Sequence, residues 1–276
     1  MPDLRIGGTR LHYDDEGSGE PVVMVMGRGA AGRVWRLHQE PALKAAGHRV
    51  VTFTNRGIPP SDPCPQGFTI DDMVADTAGL IEQLGLGPCR VVGTSLGAYV
   101  VQELMLARPE LVSQGVLMAT HGRTDAFRRA AIDAELSLHT AGLTLPAPYA
   151  AWNRAQRNLS PATLDDEQRL QDWLDLFEFA GEDTGPSSRV QLELTAPDGR
   201  LTAYRQIRTP TLVIAFADDA VLPPRLSREV ADAIPGAVYR EVKDCGHYGY
   251  LERPDAVNRL MLDFFRGAGT SGSAGR

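Results

Sequence analysis

Apolar residues form short unbroken runs that alternate with stretches of helical spacing over most of the chain. Stretches such as TIDDMVADTAGLIEQLG (69–85) place apolar residues three and four positions apart, the period of an amphipathic helix, and Thr69 is placed to cap it. The unbroken runs are typical of strands buried in a parallel sheet; they are PVVMVMG (21–27), HRVVTFTNRG (48–57), CRVVG (89–93), SQGVLMAT (113–120) and TLVIAFA (211–217). The pattern predicts an α/β fold, with a mostly parallel sheet and helices on both of its faces.

The chain departs from this alternation at its start and in its middle. LRIGGTRLHYDD (4–15) predicts a hairpin that turns at Gly7 and Gly8. Residues 121–208, called the lid segment below, carry helical patterns and no clear strand, and are too many for a simple connection. We expect a sheet core of residues 1–120 and 209–266, with the lid segment over the carboxyl ends of the strands, where open α/β sheets bind ligands. Residues 267–276, rich in glycine and serine, are expected to form a disordered tail.

Composition and charge limit the kinds of molecule that the protein is expected to bind. The chain of 276 residues has a formal net charge of −7, which argues against nucleic acid or an anionic membrane as its main partner. No apolar run approaches the roughly 20 residues that span a bilayer, and the opening MPDLRIGGTR lacks a signal-peptide pattern. Three scattered cysteines suggest free thiols in a reducing compartment. We therefore expect a cytoplasmic protein whose partner is a small molecule, with no membrane or nucleic acid involved; the sequence leaves its oligomeric state open.

A serine stands between two glycines where a predicted strand turns into a predicted helix. Gly93-Thr94-Ser95-Leu96-Gly97 matches G-x-S-x-G, and the apolar run before it and the helical pattern after it give the context of a nucleophile elbow. A sharp turn of this kind holds the serine Oγ clear of the sheet, and small neighbours avoid collisions with it. The helix that begins at Leu96 directs its free N–H groups at the same point, which favours a developing oxyanion.

A nucleophilic serine needs a base, and the base needs a carboxylate that orients it. His247 follows the last predicted strand in a glycine-flanked loop, and Asp218 and Asp219 follow the strand before it. The order Ser, Asp, His is therefore available at one end of the predicted sheet. Among the other histidines, His121 ends a strand near this site, and we expect it to line the substrate pocket rather than to act as the base.

These residues resemble the α/β-hydrolase superfamily, and the resemblance covers nearly all of residues 4–265. Besides the elbow it includes TNRGIPPSD (54–62), which looks like the family's D-x-R-G-x-G-x-S segment, and the GH…ERP ending. The resemblance implies a catalytic triad of Ser95, Asp219 and His247, and the reaction of such a triad requires no cofactor. No spacing of His, Cys and Glu residues fits a zinc site, so no metal is expected either.

The choice of the acid rests on spacing within the family. The acid commonly lies four residues before a proline, and Pro223 follows Asp219 by four, so Asp219 is the predicted acid and Asp218 the alternative. Phe216 stands where the family usually has a glycine three residues before the acid. Some relatives take the acid from the end of the strand after the elbow. That variant is rejected here because no carboxylate lies nearer to this strand end than Asp125.

The resemblance also implies an oxyanion hole of two backbone N–H groups, which by position belong to Leu96 and Arg28. Arg28 lies in MGRG (26–29), where the family usually has His-Gly. The Arg28 side chain has two open interpretations: it recognises a carboxylate or phosphate of the substrate, or it pairs with an acidic residue of the lid segment. The candidate substrate-binding residues are Arg28, His121 and Trp152.

The sequence thus predicts a serine hydrolase that cleaves an ester, lactone or thioester of a small, largely apolar molecule through an acyl-enzyme on Ser95. Two other reactions of the same triad stay open: acyl transfer to a hydroxyl group, including cyclisation, and hydrolysis of a C–C bond. A ligand-binding protein on a hydrolase scaffold is disfavoured, because such proteins often lose a member of the triad and all three positions are filled here.

Overall fold

A single mixed sheet lies at the centre of the protein. The computed structural model describes residues 2–181, 186–194, 196–197 and 199–267. Within these residues eight strands lie side by side in the order β1-β2-β4-β3-β5-β6-β7-β8. Their bounds are β1 (Asp3–Ile6), β2 (Thr9–Gly17), β3 (Pro21–Val25), β4 (Arg49–Phe53), β5 (Cys89–Thr94), β6 (Val112–Met118), β7 (Thr211–Phe216) and β8 (Val238–Val242). β1, β2 and β4 pair antiparallel and all other neighbours are parallel, which confirms the predicted mostly parallel sheet.

Helices cover both faces of the sheet, as the alternating pattern predicts. The described helices are α1 (Gln39–Ala45), α2 (Ile70–Gln83), α3 (Leu96–Ala107), α4 (Ala126–Thr140), α5 (Ala147–Asn158), α6 (Pro161–Leu164), α7 (Glu167–Ala180), α8 (Pro186–Glu193), α9 (Arg200–Tyr204), α10 (Pro224–Ala233), α11 (Gly249–Glu252) and α12 (Pro254–Phe265). None of these described helices combines the length and the apolar character needed to cross a bilayer.

Alternate residues of each strand contribute to two separate cores. In β3, Val23 packs into the core that holds α2, α3 and α10, whereas Val22 and Met24 pack into the core that holds α1 and α12. This alternation follows from the two-residue period of a strand. A strand buried on both faces therefore reads as the continuous apolar run seen in the sequence.

The predicted cap of α2 is present. The hydroxyl of Thr69 accepts a hydrogen bond from the N–H of Asp72 at 3.2 Å, and the Asp72 carboxylate accepts the N–H of Thr69 at 2.8 Å. This reciprocal pair satisfies backbone donors that have no partner within the helix. The local sequence is thus sufficient to define where α2 begins.

Between β6 and β7 the described residues form the six helices α4 to α9, and those of the lid segment contain no strand. α5 and α7 pack around a small apolar cluster that includes Ala151, Leu159 and Phe177, and Tyr248 joins this cluster. Since Tyr248 follows β8, the lid segment contacts the loops at the carboxyl ends of the strands. Its function as a lid stays a prediction. The predicted tail lies outside the described residues beyond Gly267.

Candidate active site

Ser95 joins the end of β5 to the start of α3 in a backbone conformation that side chains rarely adopt. Its φ is 53° and its ψ is −119°, which is strained for any residue other than glycine. The turn is held by the N–H of Ser95, which donates to the carbonyl oxygen of Met118 at the end of β6, at 2.9 Å. This strained turn places the half-buried Ser95 at the carboxyl ends of β5 and β6.

Close backbone contacts require the glycines around Ser95. A Cβ on Gly93 would lie 2.4 Å from the carbonyl oxygen of Gly97, and a Cβ on Gly97 would lie 2.2 Å from that of Val25. Neither position has room for a side chain. A Cβ on Gly27 would lie 3.3 Å from the Cβ of Ser95. The turn therefore packs directly on the backbone that leaves β3.

Three side chains from distant parts of the sequence form a continuous hydrogen-bonded path at this edge of the sheet. Nε2 of His247 lies 3.1 Å from Oγ of Ser95, and Nδ1 of the same ring lies 2.8 Å from Oδ2 of Asp219. Oδ1 of Asp219 accepts the N–H groups of Val221 and Leu222, each at 2.8 Å. Because an ionised carboxylate only accepts, Nδ1 donates its proton to Asp219 and Nε2 keeps a lone pair toward Ser95. This geometry suits a nucleophile, a base and an orienting acid.

The two adjacent aspartates after β7 have different surroundings. Asp219 is 4% exposed, whereas Asp218 is exposed and its backbone N–H donates to the carbonyl oxygen of Cys245 at 3.0 Å. That backbone bond ties the loop after β7 to the loop that carries His247. Burial raises the pKa of the Cys245 thiol to about 12, so this neighbour of the triad stays protonated and unreactive at neutral pH.

The loop after β3 passes beside Ser95 and is held from two sides. The amide nitrogen Nδ2 of Asn55 donates to the carbonyl oxygen of Met26 at 2.8 Å. On the other side, the N–H of Gly29 donates to Oε1 of Gln191 at 2.9 Å. Gln191 lies in α8 and is only 2% exposed. A helix of the lid segment therefore helps to fix the backbone that faces the serine.

Arg28 lies between these two anchors, and its side chain pairs with the lid segment. Nη1 of Arg28 lies 2.9 Å from Oε2 of Glu135, whose Oε1 lies 2.5 Å from Nη2 of Arg157. Burial by itself would raise the pKa of Glu135, but the two guanidinium groups outweigh it and hold that pKa below its ordinary value. Of the two interpretations of the Arg28 side chain, the ion pair is the one present. The N–H groups of Arg28 and Leu96 remain the predicted oxyanion donors.

The two other predicted pocket residues differ in burial. His121 is 1% exposed, and its ring stacks on that of Tyr99 with the centroids 5.3 Å apart. Burial, together with the positive charge of Arg128, lowers the pKa of His121 well below its ordinary value, so the ring is neutral. Trp152 is 50% exposed and packs against Tyr149 of the same helix, α5. Trp152 thus lies at the surface of the lid segment, and its contact with a substrate stays a prediction.

A buried carboxylate that sequence reasoning missed joins the loop of His247 to the lid segment. Glu252 is 5% exposed, and its Oε2 accepts the N–H of Gly246 at 2.6 Å. Its Oε1 accepts the N–H and the hydroxyl of Ser160 and the hydroxyl of Thr163, at 2.9, 2.8 and 2.6 Å. Glu252 is therefore a positioning residue for this loop. The ERP ending marks its place in the chain, but its partners come from distant helices.

Acid–base groups rather than metal ligands gather at this edge of the sheet. Across the part of the chain that the structure describes, no three His, Cys, Asp or Glu side chains come together in a way that would hold a metal ion. The groups joined by hydrogen bonds at this edge are the serine hydroxyl, the histidine ring and the aspartate carboxylate.

The sequence matches known proteins over nearly its whole length. The family model described as "Alpha/beta hydrolase family" matches residues 22–260. The chain is 51% identical over 255 residues to "Putative non-heme bromoperoxidase BpoC" of Mycobacterium tuberculosis, a match that covers 92% of this chain and 97% of the relative. The crystal structure of that relative superposes with a TM-score of 0.89 at 50% identity, covering 93% of this chain and 96% of the other.

More distant relatives carry different names. The chain is 31% identical over 261 residues to "Putative carbamate hydrolase RutD" of Variovorax paradoxus, covering 92% of this chain and 95% of the relative. It is 30% identical over 274 residues to "2-hydroxy-6-oxononadienedioate/2-hydroxy-6-oxononatrienedioate hydrolase 2" of Pseudomonas putida, covering 93% and 92%. The printed names of these relatives therefore differ in the reaction and in the substrate.

Proposed function

The chain belongs to the alpha/beta hydrolase family of enzymes, and on this basis we propose that it is a serine hydrolase with Ser95 as nucleophile, His247 as base and Asp219 as orienting acid. Its substrate is an ester, lactone or thioester of a small molecule with a largely apolar body. The hydrogen-bonded path from Asp219 through His247 to Ser95 is the observation that carries this proposal.

The first half of the reaction transfers the acyl group to the enzyme. Ser95 Oγ attacks the substrate carbonyl while Nε2 of His247 takes the hydroxyl proton. Asp219 keeps the ring in the required tautomer and stabilises its charged form. The N–H groups of Leu96 and Arg28 stabilise the oxyanion of the tetrahedral intermediate, commonly the largest single contribution. The C–O or C–S bond then breaks, and the leaving group departs with the proton held by His247.

The second half releases the acid. Water replaces the leaving group, gives a proton to Nε2 of His247 and attacks the acyl carbonyl through the same oxyanion donors. Collapse of the second intermediate returns the proton to Ser95 Oγ and frees the carboxylic acid. Asn55 and Gln191 form hydrogen bonds with the loop after β3. These bonds support this step as well, because they hold the N–H of Arg28 in place before charge develops on the oxyanion.

A matched panel of substrates tests the proposal. Ethyl, thioethyl and lactone derivatives of acids of four to eight carbons are incubated with the wild type and with the Ser95→Ala variant. We expect turnover of at least one class, and a loss of about 10⁴-fold or more in kcat for the variant. Turnover that is equal in the variant would refute Ser95 as the nucleophile.

C–C bond hydrolysis is the second candidate. The Pseudomonas putida relative is named as a hydrolase of 2-hydroxy-6-oxo-dienedioate and -trienedioate compounds, and these are the substrates on which we base this candidate. The same panel therefore includes a 2-hydroxy-6-oxo-dienoate. If this compound alone is cleaved, and the cleavage depends on Ser95, the triad assignment stands and the ester class is replaced.

A further inference from the structure

Three buried polar atoms without partners lie in one short stretch beside the triad. They are Nδ1 of His121, Oγ1 of Thr124 and Nη1 of Arg128, none of which has a hydrogen-bond partner among the described residues. The stretch leaves the carboxyl end of β6 and enters α4, and β6 is the strand whose Met118 binds the backbone of Ser95. Buried polar groups are almost always paired in folded proteins, so such a group of exceptions indicates a partner from outside the protein, which is a water molecule, an ion or a bound ligand.

Arg128 is the most informative of the three, because it is a half-buried cation whose Nη1 atom is fully buried and whose guanidinium forms no ion pair with the described residues. Its backbone N–H donates to Oδ1 of Asp125 at 2.8 Å, but the carboxylate of Asp125 forms its ion pair with Arg225. Burial and the like charge of Arg28 lower the pKa of Arg128 to about 10, so the guanidinium is still charged at neutral pH. A guanidinium has donors only, and an oxyanion would satisfy it.

Contacts with the elbow place this stretch next to the nucleophile. The N–H of Tyr99 donates to the carbonyl oxygen of Ser95 at 3.1 Å, one helical turn after the elbow, and the ring of His121 stacks on that of Tyr99. The charge of Arg128 acts on His121, and the charge of Asp219 acts in turn on Arg128. The unpartnered donors therefore lie on the same side of the sheet edge as the triad.

The helix geometry supports the same location. Glu135 follows Arg128 by seven residues, or about two turns of α4, so both side chains lie on one face of that helix. Glu135 pairs with Arg28 in the loop beside Ser95. The face of α4 that carries Arg128 is therefore the face that looks toward the proposed oxyanion hole. Because Arg28 and Arg157 share the single carboxylate of Glu135, this ion-pair cluster has one positive charge in excess.

We propose that Arg128, with the Thr124 hydroxyl and the His121 ring nitrogen, forms a subsite that binds a carboxylate of the substrate. The inference rests on the proposed function and refines its substrate class: the ester, thioester or lactone carries a free carboxylate on its otherwise apolar body. A carboxylate fits because it is a single negative charge with several acceptor positions, which matches one guanidinium and two neutral donors.

Selectivity between matched esters is the first test. The monoethyl esters of succinic, glutaric and adipic acid are compared with neutral ethyl esters of equal chain length. In the wild type we expect kcat/KM to be at least about tenfold higher for the best carboxylate ester, mainly through a lower KM. Arg128→Met abolishes that ratio and Arg128→Lys retains part of it. Arg129→Met, an exposed arginine on the same helix, leaves the ratio unchanged.

Binding without turnover is the second test, and it separates the subsite from the reaction. The thermal unfolding midpoint of Ser95→Ala is measured with glutarate, with inorganic phosphate and with neither, and again after Arg128→Met is added. The subsite predicts a rise with glutarate that depends on Arg128. A rise with phosphate but not with glutarate, or an equal rise in the Arg128→Met protein, would overturn it.

The two proposals fail in distinguishable ways. If neutral and carboxylate esters are hydrolysed equally well and Arg128→Met changes neither, the subsite is refuted while the serine hydrolase stands. If no ester, thioester or lactone is hydrolysed but Ser95→Ala binds glutarate through Arg128, the subsite stands while the proposed reaction is refuted.

Discussion

A 2.8 Å hydrogen bond joins Oδ2 of Asp219 to Nδ1 of His247, and both side chains are almost fully buried. Because Asp218 is exposed and lies outside this bond, the two neighbouring aspartates should differ sharply in their effect. We expect Asp219→Asn to lower kcat by about 10⁴-fold, since an amide favours the wrong histidine tautomer. Asp218→Asn, the matched control, should stay within about twofold of the wild type. Equal losses in steady-state turnover would contradict the assignment of the acid.

Glu252 should matter for the stability of the folded protein. In Glu252→Gln an amide NH₂ replaces one carboxylate oxygen and meets donors from Gly246 or from Ser160 and Thr163. We expect the free energy of unfolding to fall by about 1–3 kcal/mol, the usual effect of leaving buried donors without an acceptor. Denaturant unfolding measures it, with Glu178→Gln on the exposed side of α7 as the control. A change of no more than about 0.5 kcal/mol in both variants would argue against Glu252 as a buried anchor.

Gln191 should act on catalysis through the loop after β3. Removal of its Oε1 in Gln191→Ala frees the N–H of Gly29 and loosens the backbone around Arg28. We expect kcat to fall by about tenfold with little change in KM, because the loosened group acts on the transition state. Gln191→Glu keeps an acceptor at this place and should recover part of the rate. An unchanged kcat, or a loss carried entirely by KM, would show that this brace does not serve the oxyanion donors.

His121 should make the stability of the protein depend on pH. Its pKa in the folded protein lies well below the ordinary value of 6.5 because the ring is buried, so below about pH 6.5 the unfolded chain takes up a proton that the folded chain does not. His121 therefore leaves the free energy of unfolding unchanged above about pH 6.5 and lowers it progressively as the pH falls below that value.

The size of this effect is set by one proton. We expect the free energy of unfolding, followed by denaturant titration from pH 7.5 to pH 5, to decline by up to about 1.4 kcal/mol per pH unit from this group alone. His121→Phe keeps a ring that stacks on Tyr99 and removes the titration, so its slope should be shallower. Parallel slopes in the two proteins would contradict a buried neutral His121.

Local signals in the sequence were enough for the fold and for the positions of Ser95 and His247, whereas the choice of Asp219 over Asp218 also needed the spacing found in the family that the chain resembles. The strands of the sheet are continuous apolar runs because both of their sides are buried, and that pattern needs no knowledge of partners. The turn at Ser95 is equally local, since Gly93 and Gly97 are required by contacts within a few residues or with the adjacent strand. The order of Ser95, Asp219 and His247 then followed from the topology.

Contacts between distant segments of the chain could not be predicted from the sequence. Gln191 was one residue of a helical pattern, and nothing near it indicated that it would accept the N–H of Gly29. For Arg28 the sequence left a substrate anion and an acidic partner as equal choices, and only the packing of α4 brings Glu135 to it. Arg128 gave no local signal either, because its lack of a partner is a property of the folded interior.

The central claim is that Ser95 is an activated nucleophile. Its most direct test is intact-mass labelling with a fluorophosphonate probe, applied to the wild type, to Ser95→Ala, to His247→Ala and to Ser137→Ala as a control serine in α4. The account predicts one adduct that maps to Ser95, present in the wild type and the control and absent from the other two variants. A folded wild type that forms no adduct, or an adduct that persists in Ser95→Ala, would contradict it.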